Sequence, residues 1–165
     1  MPPLTQEQLT EVTSQVGFAV WQIQVLEVAV GEYLVLVHKA TLATARVEVE
    51  TMFSKAGKST LGQLLRSIQS TQNAPQTLVD QLDHFVEKRN WLVHHSRHES
   101  HGDMHLEPRR LALVHKIEAI AETALVLMKQ FQAATKAHLI TIGLSEEQID
   151  NDAARLRNEW TKSAS

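Results

Sequence analysis

The side chains best placed to do chemistry lie in the run Arg89-Asn90-Trp91-Leu92-Val93-His94. A guanidinium is a permanent cation with a planar fork of donors. An amide both donates and accepts, and an imidazole exchanges protons near neutral pH. Together they suit a phosphodiester: arginine can grip the non-bridging oxygens, while histidine moves a proton to or from the attacking or leaving oxygen. On a helix Asn90 and His94, four apart, share a face. Arg89 stands in an unusual place. At 100° per residue Leu78, Leu82, Phe85, Leu92 and Val93 lie within about 60° of one line, and Arg89 falls near the middle of that apolar stripe. A buried guanidinium without a partner costs several kcal/mol, so an acid must meet it. Glu27 is the candidate, central on the stripe Val16, Val20, Ile23, Val30 and Leu34, with Glu32 further along as a second supporting acid. The plainer reading is that Arg89 and Glu27 form a structural ion pair and His94 is a satisfied residue at a helix C-terminus.

The elements that must position these residues read as helices. Thr5 to about Arg46 forms one or two long helices, with bends expected near Gly17 or Gly31. Lys55–Thr60 breaks the pattern, and Thr60 caps a short helix through Ile68. Ser70–Pro75 is a polar loop, and Pro75 opens the helix that carries Arg89 and fades after His95. Residues 96–106 read as a loop. Pro108 starts a long helix carrying Leu111, Val114, Ile117, Ile120, Ala121, Ala124, Leu125, Met128 and Phe131 at three-to-four spacing, ended by Gly143. Ser145-Glu146-Glu147-Gln148 has the form of a capping box and opens a polar helix to about Trp160. The expected architecture is all-α: a single domain, a bundle of four to five helices over 1–144, with 145–165 a C-terminal helix and tail packed on the surface or on a partner subunit.

Composition narrows the functions. With 165 residues the chain can bury a core without covalent staples. It has no cysteine, which removes disulfides, thiolate metal sites and cysteine nucleophiles. A net charge of −3 does not suit a protein whose whole surface coats nucleic acid, though a local basic site remains compatible. Met1–Thr5 lacks the form of a secretory signal. Val16–Val37 is the stretch to test as a membrane span, and Gln22, Gln24, Glu27 and Glu32 argue against it, since an acid at mid-bilayer costs about 2.5–3.5 kcal/mol. A cytoplasmic location with no membrane partner is expected.

Two other motifs fall short. Gly57-Lys58-Ser59-Thr60 ends like a phosphate-binding loop, but Met52 stands where the first glycine belongs, and a helical segment precedes it in place of a strand. Lys55 and Lys58 are left as possible contacts to RNA or phosphate, with Arg66, Arg109 and Arg110 as further basic positions. His94, His95, His98, His101 and His105 crowd one segment with Glu99 and Asp103, but a catalytic zinc needs three convergent ligands, and no metal is expected. Trp21, Trp91 and Trp160 read as packing residues.

The run Arg89–His94 resembles the signature of the HEPN superfamily: arginine, a polar residue, then histidine after four to six intervening positions, late in one helix of a small bundle. The motif covers six residues, and the helical setting extends the likeness over about 5–140. The resemblance implies a metal-independent endoribonuclease without cofactor, acting as a homodimer with two motifs facing across the interface. His94 would assist attack by the ribose 2′-hydroxyl, Arg89 would hold the scissile phosphate and Asn90 would orient them. It also implies a toxin or phage-defence role, with an antitoxin or defence-complex protein as partner. The alternative is a non-catalytic HEPN-like module that binds a nucleotide or a protein. In the HepT branch a modified tyrosine lies two positions after the histidine; here that position is Ser96, so that form of regulation is not expected.

Overall fold

A computed structural model describes residues 3–163, with side chains described through 155. Among these residues every regular element is helical. The first helix, α1 (Gln6–Tyr33), starts at a capping box in which the Thr5 hydroxyl accepts from the Gln8 amide. It is continuous through Gly17 and Gly31. It then passes into a π-helical turn, Leu34–Lys39, closed by the Ala40 N–H on the Val35 carbonyl. The long first helix expected to reach Arg46 therefore ends at Lys39, and Arg46 begins α2 (Arg46–Gly57). The short α3 (Leu61–Gln69) is capped by Thr60, as its sequence predicts. Then come α4 (Gln76–Asn90) and a second π-helical turn, Trp91–His95. The segment expected to be a loop coils into α5 (Ser96–Glu99) and a 3₁₀ turn, Asp103–His105. The longest helix is α6 (Glu107–Thr141), with Pro108 in its first turn; Gly143 follows its end at φ 106°, a backbone region that glycine enters without strain. The last is α7 (Glu146–Ser163).

Helix direction follows from who meets whom. Glu11 pairs with Arg110 and Tyr33 packs edge-on to Phe131, so α1 and α6 run the same way. The α4 helix runs against them: Trp91 lies under Lys116, while Asp80 and His84 share a groove with Thr123, Leu127 and Gln130. The α1–α6 contact is the largest of the fold. Its core includes Ile23, Leu26, Val30, Ile117, Ala124 and Phe131, joined by Leu61, Leu64, Ile68, Leu82, Phe85 and Leu92 from α3, α4 and the second π turn. This is an all-α bundle.

The side-chain census corrects several expectations. Leu111 and Leu125, counted on the inner stripe of α6, are 41% and 37% exposed. Trp21 is not a packing residue either: it is 68% exposed and stands in a row with Phe18, Val25 and Val28 on the outer side of α1. Trp160 lies outside the described side chains. By length and composition, one helical stretch, Gln6–Lys39, could cross a membrane, yet one side of it is packed into the core.

Candidate functional site

Arg89 reaches α1, and the acid it meets there is the one its place on the stripe requires. Its Nη2 lies 3.6 Å from Glu27 Oε1, with the two side chains 19% and 23% exposed. The same carboxylate oxygen accepts the Leu61 N–H at 3.3 Å. Glu27 therefore closes the first turn of α3, where an anion is favoured by the unpaired amides and the helix dipole, while it faces the guanidinium. Three elements meet at this one carboxylate.

The guanidinium is held loosely. Beyond Glu27 at 3.6 Å it donates a long hydrogen bond, 3.4 Å, from Nη1 to Asn90 Oδ1. Its Nε is sealed from solvent and has no hydrogen-bond partner among the described residues. Charge-assisted N–H···O bonds close to about 2.7–2.9 Å when fully formed, so neither contact is one. Arginine carries five N–H donors, and most of these are unspent.

The π turn sets the place of His94. In a regular α-helix five residues rotate His94 about 140° away from Arg89. Here the Ser96 N–H reaches back five residues to the Trp91 carbonyl, and the wider turn lowers the rotation per residue. His94 thereby swings back toward the side of Arg89 and Asn90. The same turn carries Val93 off the inner stripe, where the α-helical period put it, and leaves it 45% exposed. Asn90 is exposed, and so is His94 beside His95, ring centroids 6.4 Å apart. A half-buried cation, an exposed amide and an exposed imidazole thus lie within six residues of chain at the end of α4. The nearby cavity between α4 and α6 takes Lys88 and Trp91 but none of these three.

The remaining candidates divide. Glu32 makes no ion pair among the described residues, and burial raises its carboxyl above the usual range. It does not join Arg89. Lys55 and Lys58 are exposed at the C-terminal end of α2, and Lys58 precedes by three residues the Leu61 amide that Glu27 accepts. Arg109 pairs with Asp103 at 3.6 Å. Arg110 is not on any exposed path: it is buried, its Nε donates to Glu11 at 3.0 Å and its Nη1 to the Met104 carbonyl at 3.3 Å. No group of three or more His, Asp or Glu among the described residues is placed to hold a metal ion.

Two arrangements carry no signal in the sequence pattern. The Trp91 indole donates to Glu99 at 2.7 Å and lies 3.2 Å under the Lys116 ammonium, a contact between residues twenty-five apart that no local spacing announces. His38, in the first π turn, is held edge-on by Tyr33 at 5.1 Å, with its Nε2 buried and without a hydrogen-bond partner among the described residues. Burial and the nearby His138 push its pKa down. No family model matches the chain, and no curated protein or solved structure matches it.

Proposed function

We propose that the chain is a cytoplasmic, HEPN-like endoribonuclease that needs no metal, with Arg89, Asn90 and His94 as its working residues. The observation that carries this reading is the under-coordinated guanidinium of Arg89, followed in the chain by exposed Asn90 and exposed His94. A guanidinium with unspent donors suits a phosphate's non-bridging oxygens, which accept two parallel bonds. His94, free in solvent, is able to take the proton of a ribose 2′-hydroxyl as it attacks phosphorus, or to return one to the departing 5′-oxygen. Attack by the 2′-oxygen forms the new P–O bond as the P–O5′ bond breaks, and the products are a 2′,3′-cyclic phosphate and a 5′-hydroxyl. No water or metal enters that step. An open face does not by itself exclude solvent, so the reading requires a second surface, and a second copy of this chain is the natural one. Exposed Val93 beside His94 offers that copy an apolar contact. The row Phe18, Trp21, Val25 and Val28 does not serve, because it points about 140° away from Glu27 around α1. A toxin or defence role, restrained by a partner protein, is the setting that such an activity suits.

A second reading has its own observation. Glu27 binds the α3 amide and Arg89 together, which is what a brace between α1, α3 and α4 does. In that case the exposed face binds a nucleotide or a protein without cleaving it.

Single-stranded RNA incubated in EDTA with wild type, His94→Ala and Arg89→Ala, each checked for fold by circular dichroism, separates the two. The nuclease cleaves only as wild type, leaves 2′,3′-cyclic ends, and runs as a dimer by light scattering. Intact RNA with all three proteins and a monomeric mass would leave the brace.

A further inference from the structure

A cavity of about 300 Å³ opens between the first half of α1, the chain 96–104 and the start of α6. That volume stands at the lower end of small-molecule sites, which run from about 300 to 1,000 Å³. Its body is apolar, formed by Leu9, Val12, Val16, Met104, Leu113 and Ile117. Four polar side chains complete it, and they are not equivalent. The Thr13 and Ser96 hydroxyls already donate to the Leu9 and Leu92 carbonyls. Ser100 is different: the residue is 6% exposed and lines the cavity, and its hydroxyl is not sealed from solvent and makes no hydrogen bond among the described residues. A hydroxyl left open to the cavity is free to bond a polar group that enters it. Arg97 is the single charged residue of the lining, is exposed, and forms no ion pair among the described residues.

We propose that this cavity binds a small monocarboxylate with an apolar body, its carboxylate at Arg97 and Ser100 and its chain against Val12, Val16 and Leu113. One unpaired cation matches one negative charge, and a carboxylate accepts from a guanidinium and a hydroxyl at once. No acid lines the cavity to repel it. The site does not depend on the nuclease reading, since none of Arg89, Asn90 and His94 lines it.

Straight-chain carboxylates from butyrate to decanoate, titrated by calorimetry into the full-length protein, test this, with octanol and octylammonium as neutral and cationic counterparts. Each methylene that enters the cavity tightens binding about fourfold, until the cavity is full and the gain stops. Arg97→Gln, at an exposed and unpaired position, weakens octanoate about tenfold or more and leaves octanol unchanged. Leu9→Trp, at the rim, blocks both. Ser100→Ala weakens octanoate more than octanol. Absence of saturable octanoate binding would overturn the site. So would equal affinity in Arg97→Gln, equal binding of octylammonium, or an affinity that climbs with chain length without a plateau, as surface adsorption does.

Discussion

At the scale of single residues, Glu27 and Arg89 show how one interaction answers to two demands. The carboxylate is shared between the Leu61 amide and the guanidinium, so its charge and its acceptor atoms are separable by substitution. Glu27→Gln keeps an acceptor for the amide and removes the charge that competes with a phosphate. We expect it to retain the fold and to bind a single-stranded oligonucleotide more tightly than wild type, read by fluorescence anisotropy. Glu27→Ala loses both contacts and should cost about 1–2 kcal/mol in urea unfolding, less than the 3–5 kcal/mol of a fully buried pair because water still reaches both groups. His38 makes a second prediction. Its folded pKa is lowered, so the unfolded chain takes up the proton more readily. The stability that neutral His38 contributes is complete above about pH 6.5 and is lost as pH falls through its folded value. His38→Phe keeps a ring against Tyr33 and should flatten that acid limb of a melting-temperature profile between pH 7 and 5. The pairing of Arg89 with Glu27 was legible in the sequence, because a charge in mid-stripe demands a counter-charge. The sharing with Leu61, and the buried Nε of Arg89, were not: they depend on where α3 docks, which no periodicity states.

Elements were legible where local chemistry starts or stops them. Thr60 with Gln63 and Ser145 with Gln148 form the reciprocal bonds that their spacing predicts. The two π turns were not legible, since they follow from packing at the ends of α1 and α4 and not from a residue type. An unbroken α-helical period through Leu92 and Val93 places Val93 inside, whereas the π turn leaves it 45% exposed. Residues 96–106 looked like a loop because they are polar, yet short helical turns need little apolar surface when the next helix covers them. The capping of α3 matters to the candidate site, because α3 presents the amide that holds Glu27. Thr60→Ala should destabilise by about 1 kcal/mol in denaturant unfolding. The same change should speed amide exchange at Leu61 and Gln63 well beyond the rest of α3. Uniform loss across the bundle, with no local acceleration, would show that the cap does not position this corner.

For the whole molecule, composition and periodicity were enough for an all-α bundle with a long closing helix, and they were silent on the direction in which helices pair. That α1 and α6 run parallel has a consequence for how the chain comes to be folded. The main partner of α1 arrives about a hundred residues later: Glu11 waits for Arg110, a separation of 99. Neighbouring helices in an up-and-down bundle meet across a short turn; here the main contact closes a loop that holds α2 to α5. Long-range closure of that kind slows folding relative to bundles built from adjacent hairpins. During synthesis α2, α3 and α4 can meet part of α1 early, but its largest contact waits until most of α6 has left the ribosome. A fragment ending at residue 106 should therefore unfold without a cooperative transition, while adding residues 107–144 as a separate peptide should restore one. The row Phe18, Trp21, Val25 and Val28 stays uncovered by the described chain even afterwards. A nascent α1 thus shows water two apolar faces, and folding hides only one of them. The upstream half of the main interface is therefore made long before the half that completes it.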